Sequence, residues 1–530
     1  MIEVEVHASL RAFLREQRQP SWPHHLTMAR LVARALRLGR SALIQTGSTQ
    51  GRYRLSYLAP ALLWQAPVIL VAPISTQQWL LRRDIPLLRE WIGNDKPIQI
   101  GDSFPSPEFK GLLMTSPRAW LGDRIFHKSS FPSGIPTLID GADDLEDWTR
   151  NQLKVSIKPI DWDELMLACP QEADLIRDLR VRLTKSLFQH PPNPYNCYLI
   201  DERERHALEE LFERLDPNSQ NRYRSSKSSK ETSYSNSDLE LDRRDSYHYL
   251  PKAWQDFRHS FNKSNWLMWA DISRSQGQFS LSCQPIEVAD SLSGIWSNQP
   301  VVLIGRALDL EASGSVYRQR LGLGELTSLK FSPDRTSELI QLYLPDGIPM
   351  PNTPQFQEAL TQQVRTLITL ATNSTSPVVI LVGDVPLKAQ LGTVLAAEFG
   401  SRVAVEKTEL GKRGILVCGW EFWHSHQDSL PNPRLLIVTT LPIPSLENPL
   451  VAGQVNYYKQ QHLDWFRLYL LPTALNELQR AIAPVRVARG AIALLDNRVN
   501  HRSYGSQVLS ALSPFARINY LDASWFESDS

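Results

Sequence analysis

The sequence predicts an α/β protein built on two parallel sheets, and three observations predict it. Residues 30–150 carry short apolar runs separated by helical stretches: "SALIQTG", "PVILVAP", "GLLMTSP" and "PTLIDG". The same pattern returns from about residue 300 in "PVVLIGR", "PVVILVGD", "GILVCG", "RLLIVTT" and "GAIALLD". Between the two sets, the pattern turns helical and then polar. Continuous apolar runs of this length, each closed by a turn residue, suit parallel strands covered by helices on both faces.

Taken in chain order, residues 1–150 form the first α/β unit. Residues 151–294 open with helical periodicity in "DELMLACPQEADLIRDLRVRLTKSLF" and "DERERHALEELFERL". They continue into a serine-rich stretch almost free of aliphatic side chains, and residues 218–248 are expected to be disordered, because they bury too little surface to offset ordering entropy. Residues 295–530 form the second α/β unit.

Composition sets bounds on function. Hydrophobic residues make up 42% and charged residues 21%, as in ordinary globular chains. The net charge is +1, so any nucleic-acid binding depends on a local basic surface. The four cysteines, Cys169, Cys197, Cys283 and Cys418, lie far apart with no C-x-x-C pair. This argues against zinc, iron–sulfur and disulfide frameworks and fits a reducing cytoplasm. No signal peptide is read at the start, and no apolar run reaches the roughly 18–20 residues of a membrane span.

The stretch "SALIQTGSTQGRYRLSYLAP" reads as a strand, a glycine turn and a helix. A phosphate-binding loop is built this way: its backbone N–H groups and a helix N-terminus face the β- and γ-phosphates, a lysine adds charge and a small hydroxyl binds Mg²⁺. Gly47 and Gly51 would supply the turn. Arg52 and Tyr53 hold the places of the lysine and the hydroxyl. A forked guanidinium is not equivalent to an ammonium, so the match taken alone is weak and the loop reads first as an ordinary strand–turn–helix corner. Asp140 then closes the apolar run "PTLID", the position of a carboxylate that organises Mg²⁺.

With "WPHHLTMARLVARALRLGR" ahead of the loop and "PTLIDGADDLEDW" after it, the order of segments resembles the DinG/XPD-like branch of superfamily 2 helicases. The resemblance continues through "SLSGIWSNQPVVLIGRAL", "VCGWEFWHSHQDSLPNPRLLIVTTLPIPSLENPLV" and "ELQRAIAPVRVARGAIALLDNRVNHRSYG", and it covers roughly residues 20–150 and 265–520. It implies two RecA-like, P-loop NTPase domains that bind ATP and Mg²⁺ in the cleft between them and single-stranded DNA across their tops. It also implies an ATP-dependent DNA helicase activity in DNA repair or replication.

Residue by residue, the resemblance places His25 at the family's glutamine ahead of the loop. It places Gly47, Gly51 and Arg52 at the nucleotide, Asp140 at the metal, and Glu421 in the family's F-W-E-G-x-D stretch. Arg486 is the candidate for an arginine finger whose own position is Pro484; Arg489 is the alternative. Elsewhere the family's chemistry is replaced. Gly141 stands at the general base, Asp143 at the motif's histidine, His424 at an aspartate and Arg480 at the last motif's glutamine. An arginine finger is worth about 10³–10⁵ in rate, and losing a general base costs about 10²–10⁴. A degraded ATPase on a retained scaffold is therefore expected, against the alternatives of an active helicase with an atypical site and a protein scaffold that binds neither ligand. The cysteines that hold an iron–sulfur cluster in relatives are missing between the first strands and Asp140, so no cluster is expected.

Four further features have two readings each. Arg30, Arg34, Arg37 and Arg40 form either a phosphate-contacting ridge or, as the periodicity favours, a solvated helix face. His424 and His426 are spaced poorly for a metal. Trp79, Trp91, Trp120, Trp148, Trp254, Trp266 and Trp269 are either base-stacking surfaces or, more commonly, packing residues. Glu202 and Glu204, among arginines at helical spacing, suggest a solvated helix.

Overall fold

The computed structural model describes residues 1–17, 22–47, 51–93, 95–216, 250–333, 339–371, 376–411 and 413–520. The stretch 218–248, expected to be disordered, lies outside them. In chain order the strands are β1 Ala42–Gln45, β2 Val68–Val71, β3 Ile98–Ile100, β4 Leu112–Thr115, β5 Thr137–Asp140, β6 Val155–Ile157, β7 Cys197–Leu199, β8 Trp266–Ser273 and β9 Gln278–Pro285. They continue with β10 Val301–Gly305, β11 Thr327–Lys330, β12 Ile340–Tyr343, β13 Val378–Leu381, β14 Val403–Val405, β15 Ile415–Cys418, β16 Leu435–Val438, β17 Ala491–Leu494 and β18 Phe515–Ile518.

The chain divides into two compact units. One comprises residues 1–148, 289–443 and 466–530; the other comprises residues 149–288 and 444–465. The first unit contains two seven-stranded sheets, ordered β11-β1-β10-β5-β2-β4-β3 and β14-β15-β13-β16-β17-β12-β18. Every pairing in both is parallel. Their central strands are the predicted apolar runs, buried at every position in β1, β2, β4, β5, β10, β13, β15, β16 and β17. Strands of this kind are stable only with both faces covered. The helix His25–Leu38 covers the first sheet through Met28, Val32 and Leu36 and stops at Gly39, whose φ of 58° gives a left-handed cap.

The strand order corrects one detail of the sequence reading. β10 and β11, grouped by position with the C-terminal half, pair with β1 on its two sides, Val302 opposite Ala42 and Thr327 opposite Ala42. An apolar run states that a strand is buried, not which sheet receives it.

The second unit is not purely helical. A four-stranded antiparallel sheet, β6-β9-β8-β7, lies among its helices. The β8–β9 hairpin turns through Gly277 at φ 64°, a conformation that favours glycine. Its core packs Trp162 against Trp254 edge to face at 4.8 Å. The helix Pro449–Gln460 belongs to this unit although it lies far along the chain. It approaches so closely that a Cβ at Gly453 would stand 2.7 Å from the Leu267 side chain. Among the described residues no helix is long and apolar enough to cross a membrane.

Candidate nucleotide and metal site

Asp140, the last residue of β5, is 2% exposed. Gly51, at φ 69°, turns the chain into a short 3₁₀ turn, Arg52–Arg54, that runs into the helix Leu55–Leu63. Tyr53 and Tyr57 stand four residues apart there, the spacing that puts two side chains on one helical face. Both phenols donate to Asp140, Tyr53 to Oδ1 at 2.7 Å and Tyr57 to Oδ2 at 2.7 Å. The Arg54 guanidinium adds an ion pair to Oδ2 at 3.3 Å and reaches Thr76 Oγ1 at 3.3 Å. Burial pushes both phenols well above the ordinary tyrosine value, and the Asp140 charge adds to it, so both are O–H donors at every relevant pH. Burial works against the Arg54 charge, but the Asp140 carboxylate offsets it and the guanidinium stays protonated.

This cage does not fit Mg²⁺. The ion takes oxygen lone pairs at about 2.0–2.1 Å in near-octahedral geometry. Here three donors carrying hydrogen face the two carboxylate oxygens, and one of them is already a cation. Tyr53, where a small metal-binding hydroxyl is expected, points its O–H at the carboxylate instead.

The turn after Asp140 is tied to β10. Gly141, in the general-base position, has φ 93°, and a Cβ there would lie 3.1 Å from Trp148, so a glutamate would be strained. Asp143 accepts the backbone N–H groups of Arg306 at 2.9 Å and Ala307 at 2.9 Å. This carboxylate thus works as a structural acceptor.

The remaining predicted residues divide. His25 is buried, with Nδ1 2.8 Å from Ser56 Oγ and its ring edge-on to Trp22; burial pulls its imidazole down to about 4. Arg52 is exposed. Gly47, at φ 56°, donates its N–H to the Arg306 carbonyl at 3.0 Å; residues 48–50 lie outside the described set. Arg486 is buried and donates to the carbonyls of Leu512 at 2.6 Å, Ser513 at 3.0 Å and Pro514 at 3.1 Å, which makes it a clamp on the end of the helix Gly505–Leu512. Glu421 is exposed on the first turn of the helix Trp420–His426 and lines an open cavity of about 520 Å³ with Lys388, Glu406, Trp420 and Phe422. Gly47 and Arg486 do meet, on the wall of a different cavity of about 310 Å³.

Sequence reasoning missed a set of contacts joining elements of the two large sheets. Arg480, on the helix Leu471–Ala481, donates to Asp144 Oδ1 at 2.8 Å and Oδ2 at 3.3 Å. It also donates to His424 Nε2 at 2.6 Å. Arg306 pairs with Asp428 at 3.1 Å. Two of these residues, Arg480 and His424, are the unusual occupants of family motif positions. The Arg480→Met variant is expected to lose about 1–3 kcal/mol of stability, because Asp144 keeps its partly buried charge without its main partner. Urea unfolding checks this, and an unchanged midpoint would contradict it.

Other expectations resolve similarly. Arg37 pairs with Glu3 at 2.7 Å. Glu204 is buried rather than solvated: it closes a capping box with Asp201 and accepts from Ser186 at 2.8 Å. Trp120 and Trp254 are core, whereas Trp79 is 46% exposed with the Arg83 guanidinium 5.0 Å from its ring centre.

Comparisons with known proteins agree with this architecture. The family described as "Helicase C-terminal domain" matches residues 395–515. The chain is 24% identical over 252 residues to the ATP-dependent DNA helicase YoaA of Escherichia coli, covering 45% of this chain and 40% of that protein. It is 24% identical over 258 residues to YoaA of Haemophilus influenzae, covering 46% and 40%. It therefore spans about two fifths of the length of these curated relatives. An XPD helicase structure superposes with a TM-score of 0.59 at 11% identity over 94% of this chain and 100% of that one. Xpd4 of S. tokodaii gives 0.57 at 12% identity, again over 94% and 100%. These matches make the chain similar in sequence to the YoaA DNA helicases and similar in fold to XPD helicases, with the helicase C-terminal domain family matched over residues 395–515.

Proposed function

We propose that this chain is a nucleic-acid-binding helicase-family protein without ATP turnover, acting as an accessory factor in DNA repair or replication in the cytoplasm. The observation that carries the reading is the cage of Tyr53, Tyr57 and Arg54 around Asp140. Phosphoryl transfer in such enzymes rests almost wholly on positioning and electrostatic stabilisation by the metal and cations. Here the carboxylate that would organise the metal is neutralised internally, the base position is Gly141, and Arg486 is held by three carbonyls. Single-stranded DNA is the proposed ligand, since relatives are DNA helicases by name.

Two measurements on the full chain test this. Steady-state ATPase at saturating single-stranded DNA is expected to match a blank. Fluorescence anisotropy with a labelled single strand is expected to show binding that weakens as salt rises, with a log–log slope of about −0.7 per phosphate contact. Turnover above the blank would restore the active-helicase reading; no binding at low salt would leave a protein scaffold.

A further inference from the structure

The open cavity of about 520 Å³ lies at the carboxyl ends of β14, β15 and β13, three adjacent strands of the second large sheet. Its lining follows from that place. Glu406 comes directly after β14, Gly419 and Trp420 after β15, and Val382 and Gly383 after β13. Open α/β sheets take ligands at this edge, and the volume falls within the usual range of ligand cavities, about 300–1,000 Å³.

The charge there is wrong for a phosphate chain. Asp384, Glu406 and Glu421 line the cavity against a single lysine, Lys388. Glu406 Oε1 accepts from Lys388 Nζ at 2.6 Å and from the Gly419 N–H at 3.1 Å, which fixes a non-glycine residue at φ 48°, in the left-handed region. Its Oε2 has no donor among the described residues. Asp384 Oδ1 caps the helix Val385–Phe399 by accepting the Leu387 N–H at 2.7 Å, and its Oδ2 has no donor among the described residues. Glu421 is exposed and has no ion pair among the described residues. Two helices start at this cavity, and each start carries about half a positive charge. Together with Lys388 they leave the three carboxylates ahead by about one unit of charge. Trp420 and Phe422 line the same space, and Phe422 is held by stacking on His426 at 4.4 Å.

We propose that this cavity receives an arginine side chain of a partner polypeptide. A guanidinium is the cation that both stacks on aromatic faces and donates in pairs to carboxylates, and one such charge matches the surplus. The inference goes beyond the binding of single-stranded DNA and leaves that ligand to other surfaces, because these carboxylates repel phosphate.

Fluorescence anisotropy of the full chain with a labelled glycine–serine peptide carrying arginines tests it. The peptide is expected to bind, citrulline in place of arginine to abolish binding, and lysine in place of arginine to weaken it by about threefold or more. Glu421→Gln is expected to weaken it by about tenfold, the loss of a charged hydrogen bond. Ser425→Trp, at an exposed position on the cavity wall, is expected to weaken it by at least about tenfold by filling the space, with single-stranded DNA affinity unchanged. Thermal unfolding reports whether each variant folds; if one does not, the other decides. No peptide binding, a citrulline peptide bound as tightly, or binding that neither variant weakens overturns the proposal. A lysine peptide bound as tightly overturns the guanidinium assignment, and free L-arginine bound as tightly overturns the polypeptide assignment. Single-stranded DNA that the peptide displaces and Ser425→Trp weakens assigns the cavity to nucleic acid and overturns the proposal. Absent peptide binding with absent ATPase and intact DNA binding removes this inference alone and leaves the proposed function standing.

Discussion

Asp140→Ala is expected to destabilise the protein by about 3–5 kcal/mol, because it leaves the Arg54 charge buried without its partner. Arg54 has 12% of its side chain exposed and Asp140 2%, so water does not replace the lost carboxylate. The two phenols lose their acceptor as well, each a buried donor left unsatisfied. Asp140→Asn keeps one acceptor oxygen and is expected to cost less. The direction separates two kinds of site. A carboxylate held ready for a metal is a strained functional group, and its removal is commonly neutral or stabilising. A carboxylate that has become a structural counter-ion is costly to remove. Denaturant unfolding of the wild type and both variants checks this, and a variant as stable as the wild type would show that Asp140 carries little structural load. Arg54→Met supplies the reciprocal test, since it strips the cation and leaves Asp140 with two phenols.

The second large effect depends on pH. Burial keeps the His25 imidazole neutral down to about 4, whereas an unfolded histidine protonates near 6.5. Between those values the unfolded chain binds the extra proton, so stability rises with pH. The His25 contribution is complete above about 6.5 and is lost as pH falls through the window to about 4. It amounts to about 3 kcal/mol at most, from 1.36 kcal/mol per unit. His24, beside it, also disfavours the charged ring. Glu3 and Glu406, held below the ordinary carboxylate value by Arg37 and Lys388, add an acid loss of the same sign. Asp84 and Glu477, pushed up by burial, act in the opposite sense. The measurement is therefore a difference. His25→Gln, which keeps a partner for Ser56, is expected to flatten the pH dependence between 4 and 6.5 relative to the wild type. Parallel curves for the two proteins would contradict the burial argument.

The parts of the fold carried by local pattern were legible. Each buried strand of the two large sheets is an apolar run visible in the chain, and the helix His25–Leu38 shows its periodicity and its glycine stop. Strand order was not legible, because β1 sits between β10 and β11, more than 250 residues further along, and the runs carry no address. The antiparallel sheet of the second unit was missed although "WLMWADISRSQGQFSLSCQP" carries a glycine turn between two β-rich stretches; the neighbouring helical periodicity dominated the reading.

At the site, the sequence exposed the unusual Tyr53 but not its use. Tyr57 and Arg54 were overlooked, and the signal was the spacing in "RYRLSY", which sets two phenols and a guanidinium on one turn. That they meet at Asp140 depends on β5 lying two strands from β1. Arg486 looked like a displaced finger because a family pattern records position, not the carbonyls around it. The Arg480–Asp144 pair spans 336 residues and had no local signal.

The central claim is that Asp140 is closed to a divalent metal by protein donors. Electron paramagnetic resonance of Mn²⁺ titrated into the full chain, with the wild type beside Asp140→Asn and Tyr53→Thr/Tyr57→Phe, tests it most directly. The account predicts no bound Mn²⁺ signal that depends on Asp140 in the wild type, with one appearing only when the phenols are removed. A stoichiometric Mn²⁺ signal in the wild type that Asp140→Asn abolishes would contradict it.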